Sequence, residues 1–179
     1  MQQAEKAKAA LIQDKERIFE KGVIDPIVAA LLAEEIENFE NLLCQPILPT
    51  IIKAKLYELL SSMIQVDVQE ICEKILESKI LNYIVIDYST YENNTNILIL
   101  LNSAVKSMLN SNPEVPLAEK ILVDLKLIEE FGKQIEHEDY KKGMSTRKNI
   151  YPFIHNLTHF LQTLCSERPQ LKTMLEEKC

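Results

Sequence analysis

Glycine is nearly absent from this sequence, with only Gly22, Gly132 and Gly143 among 179 residues. Hairpins, sandwiches and barrels rely on tight turns, and many of those turns need glycine because it adopts positive φ without steric cost. Neither GxGxxG nor GxxxxGKS/T occurs, so both common phosphate-binding loops are missing from the sequence. The shortage of glycine therefore favours helices and argues against a β-rich fold or a nucleotide-binding loop.

Apolar residues recur at helical spacing along most of the chain, which predicts a succession of helices. Their approximate ranges are 1–21, 26–43, 50–64, 67–78, 80–88, 95–110, 117–137, 148–165 and 169–178. We expect Gly22 to end the first helix, and Asp25 and Pro26 to begin the second. Segments 89–94 and 138–148 are predicted loops. The segment 80–86 also fits a strand, but no partner strand lies nearby in the sequence.

A short motif of an acid, a base and two apolar residues begins at positions 16, 73 and 119, with a weaker copy at 172–175. The first three copies are thus 57 and 46 residues apart, and each repeat ends in a longer helix. Three helices in a repeat of this size are typical of armadillo and HEAT proteins, whose units bury their apolar faces only by stacking.

These repeats predict an all-α fold, namely a right-handed α-solenoid of about three armadillo/HEAT-like repeats in one domain over 1–179. The repeats cover about 1–65, 66–111 and 112–166, with a partial copy at 167–179. The partial copy predicts that the chain is a segment of a longer array. It also predicts self-association through an uncapped end at Met174 and Leu175.

Net charge, apolar run length and cysteine spacing argue against several classes of protein. The net charge of −7 argues against nucleic-acid binding, because phosphates require clustered cations. Apolar runs such as 97–101 are too short for membrane insertion, and the charged segment 1–22 lacks the apolar core of a signal peptide. Cys44, Cys72, Cys165 and Cys179 show no metal or redox spacing, so we expect reduced, mostly buried thiols in a cytoplasmic or nuclear protein.

One pair of residues in the sequence is a candidate for catalysis. His155 and His159 are four residues apart on one helix face, as in a zinc-binding pair, but Asn156 stands where a metalloprotease needs glutamate. No third ligand lies at a recognisable spacing, and no serine or cysteine lies in a nucleophile elbow. We therefore expect no catalytic residue, no metal and no cofactor. Tyr57, Tyr83 and Tyr88 are expected at the rim of the core rather than as a stacking platform.

The last helix of each repeat is expected to line a concave groove, with one face in the core and the other exposed. The core faces are predicted to hold Leu56, Leu60 and Met63, with Ile52 and Leu59 beside them, then Leu101, Val105 and Met108, then Leu157, Leu161 and Leu164. The exposed faces, and hence the partner-binding residues, are predicted to be Glu58, Ser62, Asn102, Ser103, Lys106, Asn110, His155, His159 and Gln162. A polar stripe in an apolar helix needs partners if it is buried, so we expect it in the groove.

Three sets of residues, in one order along the chain, carry a resemblance to a known family. The sets are Pro46-Ile47-Leu48-Pro49-Thr50 with the helix after it, the step from Ile80-Leu81 to Asn93-Asn94, and Gly143, Arg147-Lys148 and Asn156-Leu157-Thr158. With them, the stretch from 46 to 175 resembles the C-terminal part of a SAPS domain, a helical-repeat fold found in regulatory subunits of protein phosphatase 6. Val85-Ile86 stands in place of the family's Phe-Phe, and Asn156 in place of its histidine.

The resemblance implies a non-catalytic subunit that docks a Ser/Thr phosphatase catalytic chain. From the repeats alone, we expect a protein-binding scaffold or adaptor without enzymatic activity. Two alternatives stay open: a helical oligomerisation module, and a metal-dependent enzyme that uses His155 and His159.

Overall fold

The computed structural model describes residues 26–66, 68–111, 116–139 and 150–178, and the regular structure of these residues is helical. This confirms the all-α prediction for the described residues, in which no strand occurs. The helix predicted at 1–21, the helix boundary at Gly22 and Asp25, and most of the loop predicted at 138–148 lie outside the described residues.

The helices are α1 (Pro26–Glu34), α2 (Ile36–Leu43), α3 (Thr50–Gln65), α4 (Gln69–Glu77), α5 (Ile80–Thr90), α6 (Thr95–Asn110), α7 (Leu117–Glu119), α8 (Leu127–Asp139), α9 (Tyr151–Glu167) and α10 (Pro169–Lys178). The segment 80–86 lies in α5, as predicted. None of these described helices has the length and hydropathy that crossing a membrane requires.

The single helix predicted over 117–137 is wrong, because the chain divides it at Lys126. After α7 a π-helical turn, Lys120–Asp124, ends where the Leu125 amide donates to the Lys120 carbonyl at 3.0 Å. Lys126 then adopts φ 54°, a left-handed conformation that an α-helix does not continue through. The helix predicted over 26–43 is likewise divided, at Glu35.

The two sixteen-residue helices α3 and α6 lie side by side and run in the same direction. Ser61 Oγ lies 2.9 Å from Ser103 Oγ and 3.1 Å from Ser107 Oγ. One turn further along α3, Gln65 Nε2 donates to Ser107 Oγ at 3.2 Å. The paired positions advance together, 42 to 46 residues apart. The small side chains of Ser61, Ser103 and Ser107 at this contact allow the two backbones to approach closely.

Helix α9 packs on the other side of α6 and is also parallel to it. Asn102 Nδ2 donates to the Phe153 carbonyl at 3.0 Å, and Lys106 Nζ donates to Asn156 Oδ1 at 2.5 Å. These pairs are 51 and 50 residues apart. Just after α9, Arg168 donates to the carbonyls of Leu109 and Asn110, at 3.2 Å each, so the C-terminal ends of the two helices also meet.

One apolar core joins the described helices. Leu60 of α3, Leu101 of α6 and Leu157 of α9 are buried, which confirms their predicted place on the core faces, whereas Leu161 is half-buried. Burying such side chains supplies the main stabilisation of the fold, at roughly 1.5–3 kcal/mol for each.

The core face predicted for α3 is partly wrong. Ile52 and Leu59 are 44% and 46% exposed. The buried face is centred instead on Lys53, Tyr57 and Leu60, which follow one another at helical spacing.

A buried polar cluster connects α3 to α5. Lys53 Nζ lies 2.8 Å from Asp87 Oδ2, and the Tyr57 hydroxyl donates a hydrogen bond to the same carboxylate. Lys53 Nζ also lies 5.1 Å from the ring centroid of Tyr91. Burial, and then the negative charge of Asp87, raise the pKa of the Tyr57 hydroxyl well above its ordinary value.

Two tyrosines expected at the rim are in fact in the core. Tyr57 and Tyr88 are fully buried, whereas Tyr83 is half-buried. The Tyr88 ring meets Phe131 of α8 edge to face, with centroids 5.0 Å apart, and burial raises the pKa of the Tyr88 hydroxyl. Each buried hydroxyl has a hydrogen-bond acceptor, which is what makes the burial tolerable.

Candidate functional site: the Lys106 groove

Two neighbouring cavities open along the surface of α6, and they share Ser103 and Lys106 as lining residues. The first has a volume of about 500 Å³ and is lined by Ile64, Gln65, Ser103, Lys106, Ser107, Asn110, Ser111 and Phe160. The second has a volume of about 420 Å³ and is lined by Ile99, Asn102, Ser103, Lys106, Pro152, Phe153 and Asn156. We call the pair of cavities the Lys106 groove.

The helical period explains why these residues form one lining. Ile99, Ser103, Lys106 and Asn110 are spaced by four, three and four residues, so they form one stripe along α6. The parallel packing of α3 and α9 on either side then supplies the walls. The lining therefore comes from three helices, α3, α6 and α9, which run in the same direction.

Lys106 lies between the two cavities and is held in place by α9. Its Nζ atom donates to Asn156 Oδ1 at 2.5 Å and lies 5.2 Å from the ring centroid of Phe160. The residue is half-buried and lines both cavities, and a lysine in such a position typically covers its methylene stem and keeps its ammonium group accessible.

The electrostatic environment of Lys106 differs from that of most other lysines that the structure describes. The two linings contain no aspartate or glutamate, although the chain carries a net charge of −7. Lys53, Lys55, Lys120 and Lys126 each pair with a carboxylate, whereas Lys106 has neutral partners among the described residues. The groove is therefore a locally cationic site on an acidic protein.

The structure brings three of the predicted partner-binding residues together at an accessible surface. Lys106 and Ser103 are half-buried, Asn110 is exposed, and all three line the groove. Ser103 is fixed by its contact with Ser61, and the Asn110 carbonyl accepts from Arg168. The side chain of Asn110 is exposed at this surface.

The prediction that Asn102 is exposed is wrong. Its side chain is only 5% exposed; it accepts a hydrogen bond from the Tyr88 hydroxyl at 2.6 Å and donates to the Phe153 carbonyl at 3.0 Å. A buried polar group needs hydrogen-bond partners. Asn102 has them, from α5 and α9. It lies at the floor of the smaller cavity and joins three helices.

The other predicted residues are exposed but do not line the groove. On α3, Glu58 pairs with Lys55 at 2.5 Å and its carbonyl accepts from the Ser62 hydroxyl at 3.0 Å. His155, His159 and Gln162 are exposed on α9 and occur in neither lining. On α9 the groove is lined by Asn156 and Phe160 instead. The face predicted to bind a partner is therefore a different face of α9 from the one that lines the groove.

Sequence reasoning missed Gln65, Asn156 and Phe160 as groove residues. A usable signal existed, because Phe160 follows Asn156 by four residues on one edge of α9. Their role becomes visible only when α6 is placed beside them.

The described residues offer no alternative metal centre. Among the side chains that the structure describes, within 27–66, 68–111, 116–135 and 150–177, no group of three or more His, Cys, Asp or Glu residues is arranged to hold a metal ion. Cys44, Cys72 and Cys165 are free thiols that are exposed, buried and half-buried respectively, so the expectation of mostly buried thiols holds only in part. Burial raises the pKa of the Cys165 thiol.

Comparisons of this chain with family models, with curated protein sequences and with solved structures find no match.

Proposed function

We propose that this chain is a non-catalytic protein-binding scaffold or adaptor, built as a right-handed α-solenoid of armadillo/HEAT-like repeats, and that the Lys106 groove holds a segment of its partner. The observation that carries the proposal is the parallel register of α3, α6 and α9. Equivalent helices of stacked repeats run in one direction and are offset by one repeat length, and they present a continuous binding surface.

The chemistry of the groove suits a protein ligand. Its lining mixes apolar side chains with serines, amides and one cation, so it supplies a few fixed polar contacts on an apolar base. Amide side chains both donate and accept hydrogen bonds, as does a peptide backbone.

The resemblance to SAPS domains gives this proposal a more specific form. In that form the bound partner is the catalytic chain of a Ser/Thr phosphatase, and this chain selects or positions the phosphatase without taking part in its chemistry. Co-elution of the purified chain with the catalytic subunit of protein phosphatase 6 in gel filtration tests this form by itself.

The general proposal is tested by blocking the groove. In Asn110→Trp a bulky ring replaces an exposed side chain of the lining, whereas Gln162→Trp places the same ring on an exposed position outside it. Proteins retained by the tagged wild-type chain should be lost with Asn110→Trp and kept with Gln162→Trp. Circular dichroism and thermal melting verify that both variants fold. Equal retention by both variants refutes the groove as the binding surface.

A further inference from the structure

The charges around the Lys106 groove indicate which chemical class of ligand it binds. Lys106 is the one charged side chain in the two linings, and the described residues supply it with no carboxylate. An ammonium group offers three hydrogen-bond donors, and Asn156 Oδ1 takes one of them. Donors are therefore left to face the groove, where an anionic ligand group would complete the pairing.

We propose that the Lys106 groove recognises an extended peptide segment of a partner protein through an aspartate or glutamate side chain whose carboxylate pairs with Lys106. This inference rests on the proposed function, and it adds the charge of the ligand. Complementary charge favours association and rejects basic or neutral segments, because placing either beside a lone lysine leaves its charge unpaired.

The arrangement favours a carboxylate over a phosphate. Phosphorylated segments are bound by clusters of arginine, whose planar groups match phosphate oxygens in pairs. Neither lining contains an arginine, and a single lysine acts as a compact point charge. One ammonium group matches one carboxylate in charge.

The dimensions and remaining side chains fit an extended chain. The stripe from Ile99 to Asn110 is about 16 Å long at the rise of an α-helix, which is the length of about five residues of extended peptide. Gln65, Asn110 and Asn156 can bond to the peptide backbone. The apolar side chains of Ile99 and Phe160, on either side of Lys106, can cover apolar neighbours of the acidic residue.

The inference is tested by selecting ligands from a linear phage-displayed peptide library with the full chain as bait. Five baits are compared: wild type, Lys106→Met, Lys106→Glu, Lys106→Arg and Lys172→Glu. Lys172→Glu on α10, which removes an exposed lysine outside both linings, is the matched control. The best peptide is then synthesised with its acidic residue, with the matching amide, and with lysine at that position, and its affinity is measured at low and high salt.

We expect acidic residues to be enriched by wild type, Lys106→Arg and Lys172→Glu, basic residues by Lys106→Glu, and neither by Lys106→Met. The acidic peptide should bind wild type about tenfold more tightly than its amide form, a difference of about 1.4 kcal/mol. High salt should shrink that ratio, because screening weakens a partly exposed ion pair.

Each other result overturns the inference in a distinguishable way. Enriched peptides without an acidic residue, or an amide form that binds equally well, refute the carboxylate but leave a peptide-binding groove. If no peptide is enriched, or if Asn110→Trp binds the peptides unchanged, the proposed function fails together with the inference. If light scattering shows wild-type dimers that Lys106→Glu abolishes, the occupant is an acidic face of a second copy of this chain.

Discussion

Lys53 Nζ and Asp87 Oδ2 lie 2.8 Å apart inside the protein, with their side chains only 9% and 5% exposed. The two residues are 34 positions apart in sequence and belong to α3 and α5. The Tyr57 hydroxyl completes the cluster by donating to the same carboxylate. An ion pair of this kind is tolerated only because each charge is paired and hydrogen-bonded, so the removal of one partner should be far more costly than the removal of all three.

Replacing Asp87 with alanine should lower the free energy of unfolding by about 3–5 kcal/mol, because it leaves the Lys53 ammonium group buried without a counter-charge. The triple variant Lys53→Met, Tyr57→Phe, Asp87→Leu should recover most of that loss, since it removes every polar member of the cluster together. Urea denaturation measures both. Lys55→Ala, which breaks an exposed pair with Glu58, serves as the control and should cost less than about 1 kcal/mol. A small effect of Asp87→Ala would contradict the cluster.

Substitution by alanine should destabilise the protein much more at the buried Leu60 and Leu101 than at the exposed Leu59. Leu60→Ala and Leu101→Ala should each cost about 2–5 kcal/mol, because they leave cavities in a packed core. Leu59→Ala makes the same chemical change one residue away, at a side chain that is 46% exposed, and should cost much less. Denaturant melts of the three variants test this order. A loss for Leu59→Ala as large as that for Leu60→Ala would show that the core face of α3 is wrongly placed.

Asn102 should act as a structural residue and not as a surface one. Asn102→Ala removes the acceptor of the Tyr88 hydroxyl and the donor to the Phe153 carbonyl, and an unsatisfied buried polar group costs about 1–3 kcal/mol. Adding Tyr88→Phe should remove part of that penalty. Asn110→Ala, at the exposed end of the same helix, should stay within about 0.5 kcal/mol of wild type. Equal melting temperatures for Asn102→Ala and Asn110→Ala would contradict the buried position of Asn102.

The stability of the protein should fall at alkaline pH through Tyr57. Burial and the Asp87 charge raise the pKa of Tyr57 in the folded chain, so the unfolded chain loses this proton at a lower pH. The stabilising contribution is fully present below the unfolded value of about 10 and is lost as pH rises through the raised folded value.

Tyr57→Phe tests this linkage. The variant loses a hydrogen bond at every pH, so it should be less stable near neutrality, but its stability should fall less steeply above about pH 10. Urea unfolding across this range, together with tyrosinate absorbance, provides the measurement. Parallel pH profiles for wild type and Tyr57→Phe would show that the folded and unfolded pKa values of Tyr57 do not differ.

The helices themselves were predictable to a large extent. The range 95–110 was predicted as a helix and is α6, and 50–64 was predicted one residue short of α3. Both helices are predictable from the spacing of their apolar residues, because the hydrogen bonds of a helix join residues that are close in sequence. The break at Lys126 was not predictable in this way, because its positive φ ends a helix without a glycine or a proline.

Two lysines show that the sequence alone does not determine whether a charged side chain is buried or accessible. Lys53 and Lys106 are both cations on helices rich in apolar residues, and apolar periodicity by itself does not distinguish them. Lys53 is buried because Asp87 meets it from α5, whereas Lys106 faces a groove because α9 offers only Asn156 and Phe160. The sequence by itself determined that the described part of this chain is helical and which apolar side chains anchor α6, since those follow from local spacing. The tertiary structure alone decided which polar residues are buried, because the burial of a charge or an amide depends on partners that lie 14 to 51 positions away.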